Sequence, residues 1–147
     1  MKSEPVPDAD NVVRYIKPTA IDDGEINGSG FELKSDHKGV SVNWLECFGE
    51  LGKAGQLAQV RKRGRLGWKA SGCLAELNVG RTKEHLLTAD IQLSFMQDPL
   101  EPEGEYEDDP SHSLICGIPV DPPEHKELVQ DMIADSVSEI HSAIIDE

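Results

Sequence analysis

The segment LTADIQLSF, residues 87–95, places an apolar side chain at every second position from Leu87 to Phe95. A period of two over nine residues is typical of a strand with one buried face, and burial on one face is common in antiparallel sheets. CLAELNV, residues 73–79, has the same alternation. The link GRTKEHL between the two segments is short enough to join neighbouring strands. We therefore predict that 73–79 and 87–95 are strands of one antiparallel sheet.

Three further runs have the length and composition of strands. NVVRYI (11–16) is rich in β-branched residues and stops before Pro18. GFELK (30–34) and KGVSVNW (38–44) are short strands that the loop SDHKG would join into a hairpin. SLICGI (113–118) predicts a last strand.

Two helices follow from capping signals. Asn43 with Glu46 forms a capping box, which predicts a short helix after the second hairpin strand. Asp121 as N-cap, followed by Pro122 and then Glu124, predicts a C-terminal helix. Its apolar stripe consists of Val129, Met132, Ile133, Val137, Ile140 and Ile144. The predicted fold class is α+β, a mostly antiparallel sheet with this amphipathic helix packed on one face.

A chain of 147 residues has the size of one domain. Residues 1–10 are polar with two prolines and are expected to form a flexible tail, which leaves 11–147 as a single domain. Residues 98–109 contain seven acids, no base and two prolines, and such a segment has little apolar surface to bury. We expect it to be a mobile acidic loop.

Charge narrows the function classes. Lys and Arg number 14 against 28 Asp and Glu, a net charge of −14, which disfavours generic binding to nucleic acids or membranes. No apolar run reaches the roughly 18 residues of a membrane span, and three widely spaced cysteines are no disulfide framework. These features favour an acidic, cytoplasmic, bacterial-type interaction domain. Its partner would be another, basic protein, which it assists or neutralises as an immunity protein or antitoxin does.

One basic stretch interrupts this acidity. It contains five cations within residues 61–69, and its candidate partner-binding residues are Arg61, Lys62, Arg63 and Arg65. These cations either pair with the acidic loop 98–109 or form a docking patch for an acidic partner. We prefer the internal pairing, because it accounts for both charge runs at once.

Two polar residues point to the alternative, a small enzyme. Arg14 shares a strand face with Val12 and Ile16. Burying a charge on such a face is costly unless it pairs with an acid or binds a ligand. Asp22, Asp23 and Glu25 are its possible structural partners.

His112 follows the acidic loop, where it is either a general acid or base or a solvated histidine that caps a strand. In the enzyme hypothesis Arg14 and His112 are catalytic and bind an anionic substrate such as a nucleotide. Its ligand-binding residues are Arg14, Ser29, Ser41, Asn43 and Ser113.

The sequence has no recognisable motif for a metal site, a catalytic nucleophile or a cofactor. The histidines and cysteines form no CxxC, HxxxH or HExxH spacing, so no metal site is predicted. There is no GxSxG motif, and Cys116 in an apolar run is expected to be a core residue. No cofactor is predicted from the residues.

The segments VVRY, GSGF and SVNW resemble the opening of small ADP-ribosyltransferase-like folds. The resemblance covers about the first third of the chain. It implies that Arg14 in the first strand and a serine in a later strand hold NAD. The catalytic glutamate of those enzymes has no identifiable counterpart here.

Overall fold

A six-stranded antiparallel sheet forms the centre of the molecule in the computed structural model, which describes residues 4–34, 38–64 and 68–144. The strands are β1 (Asn11–Ile16), β2 (Ile21–Asp22), β3 (Glu25–Ile26), β4 (Val40–Trp44), β5 (Cys73–Asn78), β6 (Ser94–Gln97), β7 (His112–Cys116) and β8 (Val137–Ser142). The helices are α1 (Gly52–Arg63), α2 (Val79–Leu87) and α3 (Pro123–Asp135), with 3₁₀ turns at Pro18–Ala20, Gly28–Phe31 and Leu45–Phe48. The strand order is β6-β7-β4-β1-β5-β8, while β2 and β3 form a separate two-stranded ribbon. The α+β class is confirmed.

The central strands are buried on both faces, because helices pack on either side of the sheet. Val12 and Val13 are both buried although they point to opposite faces. Val12 belongs to the larger core cluster, which α2 and α3 complete. Val13 packs with Leu57 of α1 in the smaller cluster. The predicted packing of the C-terminal helix on one face is confirmed.

That helix is shorter than its apolar stripe suggested. It ends at Asp135, and the following residues form β8, which pairs antiparallel with β5. Val137 and Ile140 therefore lie on an edge strand, and Ile140 is exposed. The sequence VSEIHS also fits a strand, and pairing with β5 decides between the two patterns. Asp121 is not the N-cap, because the helix begins one residue later, after Pro122.

The predicted strand 87–95 and its link are mostly wrong. The link forms α2, whose first turn is capped by Asn78, with its side chain accepting from the Arg81 N–H. Leu87 ends that helix, Asp90 takes a positive φ of 61°, and only from Ser94 does the chain pair as β6. Ile91, Leu93 and Phe95 are nevertheless buried. The alternation therefore identified buried positions rather than a nine-residue strand.

Two neighbouring predictions also change. The short helix after β4 is present as the 3₁₀ turn, but Asn43 does not cap it, and Glu46 accepts two hydrogen bonds from Asn11 instead. Helix α1 was missed because its glycine-rich start hides a narrow apolar stripe. Of the predicted strand 30–34, the first residues form the 3₁₀ turn. Loop residues 35–37 lie outside the described residues.

Residues 4–10, expected as a loose tail, cover the free edge of β6. Val6 is buried, and its N–H donates to the Phe95 carbonyl at 2.8 Å, while the Glu4 carbonyl accepts from Gln97 N at 2.7 Å. A sheet edge has unpaired backbone groups, and this segment satisfies them. Residues 1–3 lie outside the described part.

The segment 98–109, here the acidic hairpin, folds back on itself. Leu100 and Asp109 exchange two backbone hydrogen bonds of 2.9 Å, and Glu103 pairs likewise with Tyr106. Its mobility stays a prediction. Within the described chain, no helix has the length and apolar character needed to cross a membrane.

Candidate functional site

Arg14 lies where two central strands separate. The register between β1 and β4 ends at the pair Val13 and Asn43. Just beyond that pair the Arg14 guanidinium donates from Nε to the Gly30 carbonyl and from Nη1 to the Ser41 carbonyl, the latter at 2.7 Å. The side chain thus fills the opening with a positive charge held by neutral carbonyls.

This opening leads into a cavity of about 650 Å³. Five residues of the enzyme hypothesis line it, namely Arg14, Ser29, Ser41, Asn43 and His112. The other lining residues are Tyr15, Lys17, Thr19, Gly30, Glu32, Lys34, Arg63, Gly64, Trp68, Leu100 and Asp109. Its charged wall therefore has four cations and two carboxylates, in contrast to the chain as a whole.

His112 contacts polar groups through both ring nitrogens. Its Nδ1 lies 2.9 Å from the Asp98 carbonyl oxygen and 3.2 Å from the Asp98 Oδ2. Its Nε2 lies 3.1 Å from the Ser41 hydroxyl oxygen. Arg14 and His112 therefore both contact Ser41, one through its backbone and the other through its side chain.

Arg14 has no acidic partner in the described structure. No ion pair joins it to Asp22, Asp23 or Glu25, the structural partners that the sequence offered. Burial lowers the pKa of Arg14 to about 10, so the side chain stays charged at neutral pH. A desolvated cation without a counter-charge is costly, and an incoming anion would relieve that cost.

Asp109, one of the two carboxylates on the pocket wall, accepts hydrogen bonds from its neighbours. Its carboxylate accepts from the Asn43 amide at 2.9 Å and from the backbone and hydroxyl of Ser111 at 3.1 and 2.7 Å. This network holds one end of the acidic hairpin beside the pocket. Asn43 therefore both holds the hairpin through Asp109 and lines the pocket.

Ser113 does not belong to this site. It is fully buried, and its hydroxyl donates to the Ser111 carbonyl at 3.1 Å. Neighbouring residues of a strand point to opposite faces, so Ser113 points away from the face that His112 occupies.

Tyr15 and Trp68 add an aromatic wall that the sequence did not predict. Their rings are stacked with centroids 5.1 Å apart and an angle of 3° between planes. The Tyr15 hydroxyl also accepts from the Lys69 N–H at 2.9 Å, which fixes the ring. The two residues are far apart in sequence, and only the folding of the chain after α1 brings them together.

The basic stretch faces the acidic hairpin. Arg63 Nη1 donates to the Asp108 carbonyl at 2.9 Å and lies 3.8 Å from a Glu107 carboxylate oxygen. Lys62 Nζ lies 3.7 Å from Glu107. Arg61 instead binds the Ser142 carbonyl through two donors, and Arg65 lies outside the described residues. The expected internal pairing is present for Lys62 and Arg63.

Arg63 also reaches the pocket wall. Its guanidinium carbon lies 5.5 Å from the Phe48 ring centroid, and its Nε is buried with no hydrogen-bond partner among the described residues. A buried donor without a partner is unusual. Arg63 thus links the acidic hairpin, α1 and the pocket.

A second polar cluster lies on β5 and β8. His141 Nε2 is 2.8 Å from buried Glu76 and 3.4 Å from Glu139, and Lys53 Nζ is 2.6 Å from Glu76. The two carboxylates and the imidazole are close enough to bind one metal ion. The Lys53 ammonium, however, already lies within 3.9 Å of both carboxylates. The cluster is therefore an ion-pair network that already contains a cation.

The thiols are poor nucleophiles. Burial raises the pKa of Cys47, Cys73 and Cys116, and the nearby Asp98 raises that of Cys116 further. A thiol with a raised pKa is mostly protonated at neutral pH and reacts slowly. All three cysteines are free. None of the three lines the pocket described above.

Five polar residues that the sequence analysis grouped together do line one pocket. The contact of Asp98 with His112 and the aromatic wall were missed, because both depend on strand and loop pairing. Comparison with protein-family models, curated proteins and solved structures finds no match to this chain.

Proposed function

We propose that the pocket binds a small anionic molecule and that the protein is a small enzyme acting on it. The observation that carries this proposal is Arg14, a desolvated guanidinium with carbonyl contacts and no described acidic partner. Buried cations are ordinarily paired with an acid or a ligand. A phosphate or carboxylate would supply the missing charge and accept bidentate hydrogen bonds from this guanidinium.

The local charge supports the same ligand class. Arg14, Lys17 and Lys34 line the pocket together with Arg63, which also pairs with the acidic hairpin, and the carboxylates on the wall are those of Glu32 and Asp109. On a chain of −14, such a concentration of cations is a local exception. It would attract an anion that the rest of the surface repels.

The aromatic wall favours a ligand with a planar ring. Trp68 lies stacked on Tyr15, and both residues line the pocket. An aromatic face attracts flat heterocycles through stacking, a contact worth about 1–3 kcal/mol for a nucleobase. Nucleotides combine a ring of this kind with phosphates, and they are the first ligands to test.

Isothermal titration with inorganic phosphate, AMP, ADP and UMP tests the proposal. Arg14→Met should weaken binding at least about tenfold, since a charge-assisted bidentate contact is worth more than 1.4 kcal/mol. Arg81→Met is the matched control, because Arg81 is exposed on α2 outside the pocket. Binding that is equal in wild type and Arg14→Met would refute the proposal, as would absence of binding for all four compounds at millimolar concentration.

A second candidate function rests on the exposed acids of the hairpin. Residues 101–108 are all exposed and include five acids, which fits capture of a basic protein partner in the cytoplasm. Lys62 and Arg63 are occupied by that hairpin and are less suited to docking. Affinity capture with wild type and with Glu101→Gln/Glu103→Gln/Glu105→Gln distinguishes this candidate. A stoichiometric basic protein should bind only the wild type.

A further inference from the structure

We propose that Ser41 is the nucleophile of a hydrolase site, with His112 as its general base and Asp98 as the positioning residue. The inference rests on the proposed function and specifies its reaction, the hydrolysis of an ester whose acyl or alcohol part carries a negative charge. Nucleophilic catalysis by serine requires a base within hydrogen-bond reach and a third group that orients the base. Ser41, His112 and Asp98 meet both distance requirements, at 3.1 Å and 2.9 Å.

The tautomer of His112 follows from its partners. A carbonyl oxygen can only accept a hydrogen bond, so Nδ1 carries a proton and donates it to the Asp98 carbonyl 2.9 Å away. In the neutral ring Nε2 then has the free lone pair. That nitrogen faces the Ser41 hydroxyl, which donates to it. The ring is thus oriented to remove the hydroxyl proton.

A hydrolase site requires a nucleophile that the substrate can reach and a base that is shielded from solvent. Ser41 is exposed at the pocket, whereas only 15% of the His112 side chain is accessible. A substrate can therefore reach the oxygen while the base remains largely shielded from solvent. Ser138 is also exposed but lies on β8 outside the pocket, where its hydroxyl donates to the Glu76 carbonyl, so it serves as the comparison.

Arg14 contacts the proposed nucleophile's residue through its backbone, because Nη1 donates to the Ser41 carbonyl at 2.7 Å. A guanidinium has five N–H donors. Two of them are used by the Gly30 and Ser41 carbonyls, and the others remain for a substrate carboxylate or a developing oxyanion. Such a fixed cation stabilises negative charge in a transition state.

The reaction is balanced without a further reagent. Ser41 Oγ bonds to the ester carbonyl carbon while His112 Nε2 takes its proton, and the carbonyl π electrons move to oxygen. The C–O bond to the alcohol then breaks, and the alcohol leaves with the proton from His112. Water attacks the acyl-Ser41 carbonyl and gives a proton to Nε2. That proton returns to Ser41 Oγ as the acid leaves, with no change in oxidation state.

A fluorophosphonate probe tests the nucleophile directly. Serine displaces fluoride from phosphorus, so intact-mass and peptide mass spectrometry should find one adduct, at Ser41. Ser41→Ala and His112→Ala should abolish labelling or slow it by at least about 100-fold, the scale of general-base catalysis. Ser138→Ala, on β8 outside the pocket, should label like wild type. No adduct, an adduct at another residue, or equal labelling of His112→Ala would overturn the proposal.

Ester hydrolysis separates this inference from the proposed function. The anionic mono-4-nitrophenyl succinate should be hydrolysed with a higher kcat/KM than neutral 4-nitrophenyl acetate, and Arg14→Met should remove that preference. Loss of activity in Ser41→Ala without an anion preference would support the nucleophile and contradict the anionic pocket. If anion binding requires Arg14 but neither hydrolysis nor labelling occurs, the anion-binding pocket is supported and Ser41 is refuted as a nucleophile.

Asp98→Asn tests the positioning role. The backbone carbonyl still holds Nδ1–H in this variant, so the tautomer persists and only the carboxylate 3.2 Å away is lost. A fixed negative charge beside the ring would stabilise positive charge that develops there in the transition state. We expect kcat to fall a few-fold with KM and Tm unchanged. An unchanged kcat, or a parallel loss of Tm, would exclude Asp98 as the positioning residue.

Discussion

Two histidines on the same sheet, His112 on β7 and His141 on β8, contact carboxylates and are almost equally shielded, with 15% and 16% of their side chains accessible. His141 Nε2 contacts only charged groups, at 2.8 Å from Glu76 and 3.4 Å from Glu139. His112 Nε2 instead contacts the exposed hydroxyl of Ser41. The partner of one ring nitrogen therefore separates a structural histidine from one suited to chemistry.

The surroundings of the two rings reinforce this difference. Around His141 the carboxylates already have a cation, because Lys53 lies 2.6 Å from Glu76 and 3.9 Å from Glu139. Around His112, Arg14 has carbonyl partners only and Arg63 Nε has none among the described residues. Unsatisfied groups on a cavity wall favour ligand binding, whereas satisfied groups in the fold favour stability.

Exchanging each histidine for alanine should give the largest contrast. We expect His112→Ala to lower ester hydrolysis by at least about 100-fold, and His141→Ala to leave it unchanged. His141→Ala should cost about 1–3 kcal/mol more unfolding free energy than His112→Ala, because it deprives the buried Glu76 of a partner. Urea unfolding and hydrolysis assays on both variants measure this. Equal effects on both properties would remove the distinction.

Replacing Lys53 should affect the network around His141 without affecting the His112 site. Lys53→Met leaves the buried Glu76 carboxylate with His141 only, and we expect about 1–2 kcal/mol of destabilisation, since Lys53 is itself partly exposed. Hydrolysis should not change. Lys83→Met, which breaks the exposed pair with Asp8, is the control and should stay within about 0.5 kcal/mol of wild type.

The same interaction predicts a pH dependence with a definite sign. Burial alone would lower the pKa of Lys53, but its hydrogen bond and attraction to Glu76 raise it above the ordinary 10.5. A raised pKa of a base stabilises the fold below that value and loses its effect as pH rises through the folded pKa. The difference between wild type and Lys53→Met should therefore be constant near neutrality and shrink only above pH 10.5. A difference that shrinks already below pH 9 would contradict the Glu76 interaction.

The contrast also explains which parts of the site the sequence could predict. Arg14 was recognisable as a charged residue in an apolar strand, and His112 as a histidine between an acidic loop and a strand, so both signals lie in short segments of sequence. Asp98 was not, because its contact with His112 needs β6 and β7 to be paired. The stack of Trp68 on Tyr15 likewise depends on tertiary folding.

The fold was predictable to a similar extent. β-branched runs correctly predicted β1 and β4, since their backbone preference and their burial agree. In residues 87–95 the alternation correctly indicated which side chains are buried, but it did not predict the secondary structure. Asn78 caps α2, which continues to Leu87 where a strand was expected to begin. After Asp135 one apolar pattern fitted both helix and strand, and pairing with β5 decided between them.

The smallest predicted effect concerns the acidic hairpin, which has Asp98 and Asp109 at its two ends and so supports the His112 site but not the His141 network. Lys62→Gln removes the exposed pair with Glu107 and does not alter the pocket wall. Such pairs contribute about 0–1 kcal/mol, so amide exchange at Leu100 and Asp109 should accelerate by less than about fivefold at low salt, with a comparable loss in hydrolysis. The effect should vanish at 1 M salt, where charges are screened beyond about 3 Å. Lys83→Gln is the control, and amides of β8 should not respond. Equal acceleration in β8, or the same effect at high salt, would mean that Lys62 acts on the whole fold rather than by pairing with the hairpin.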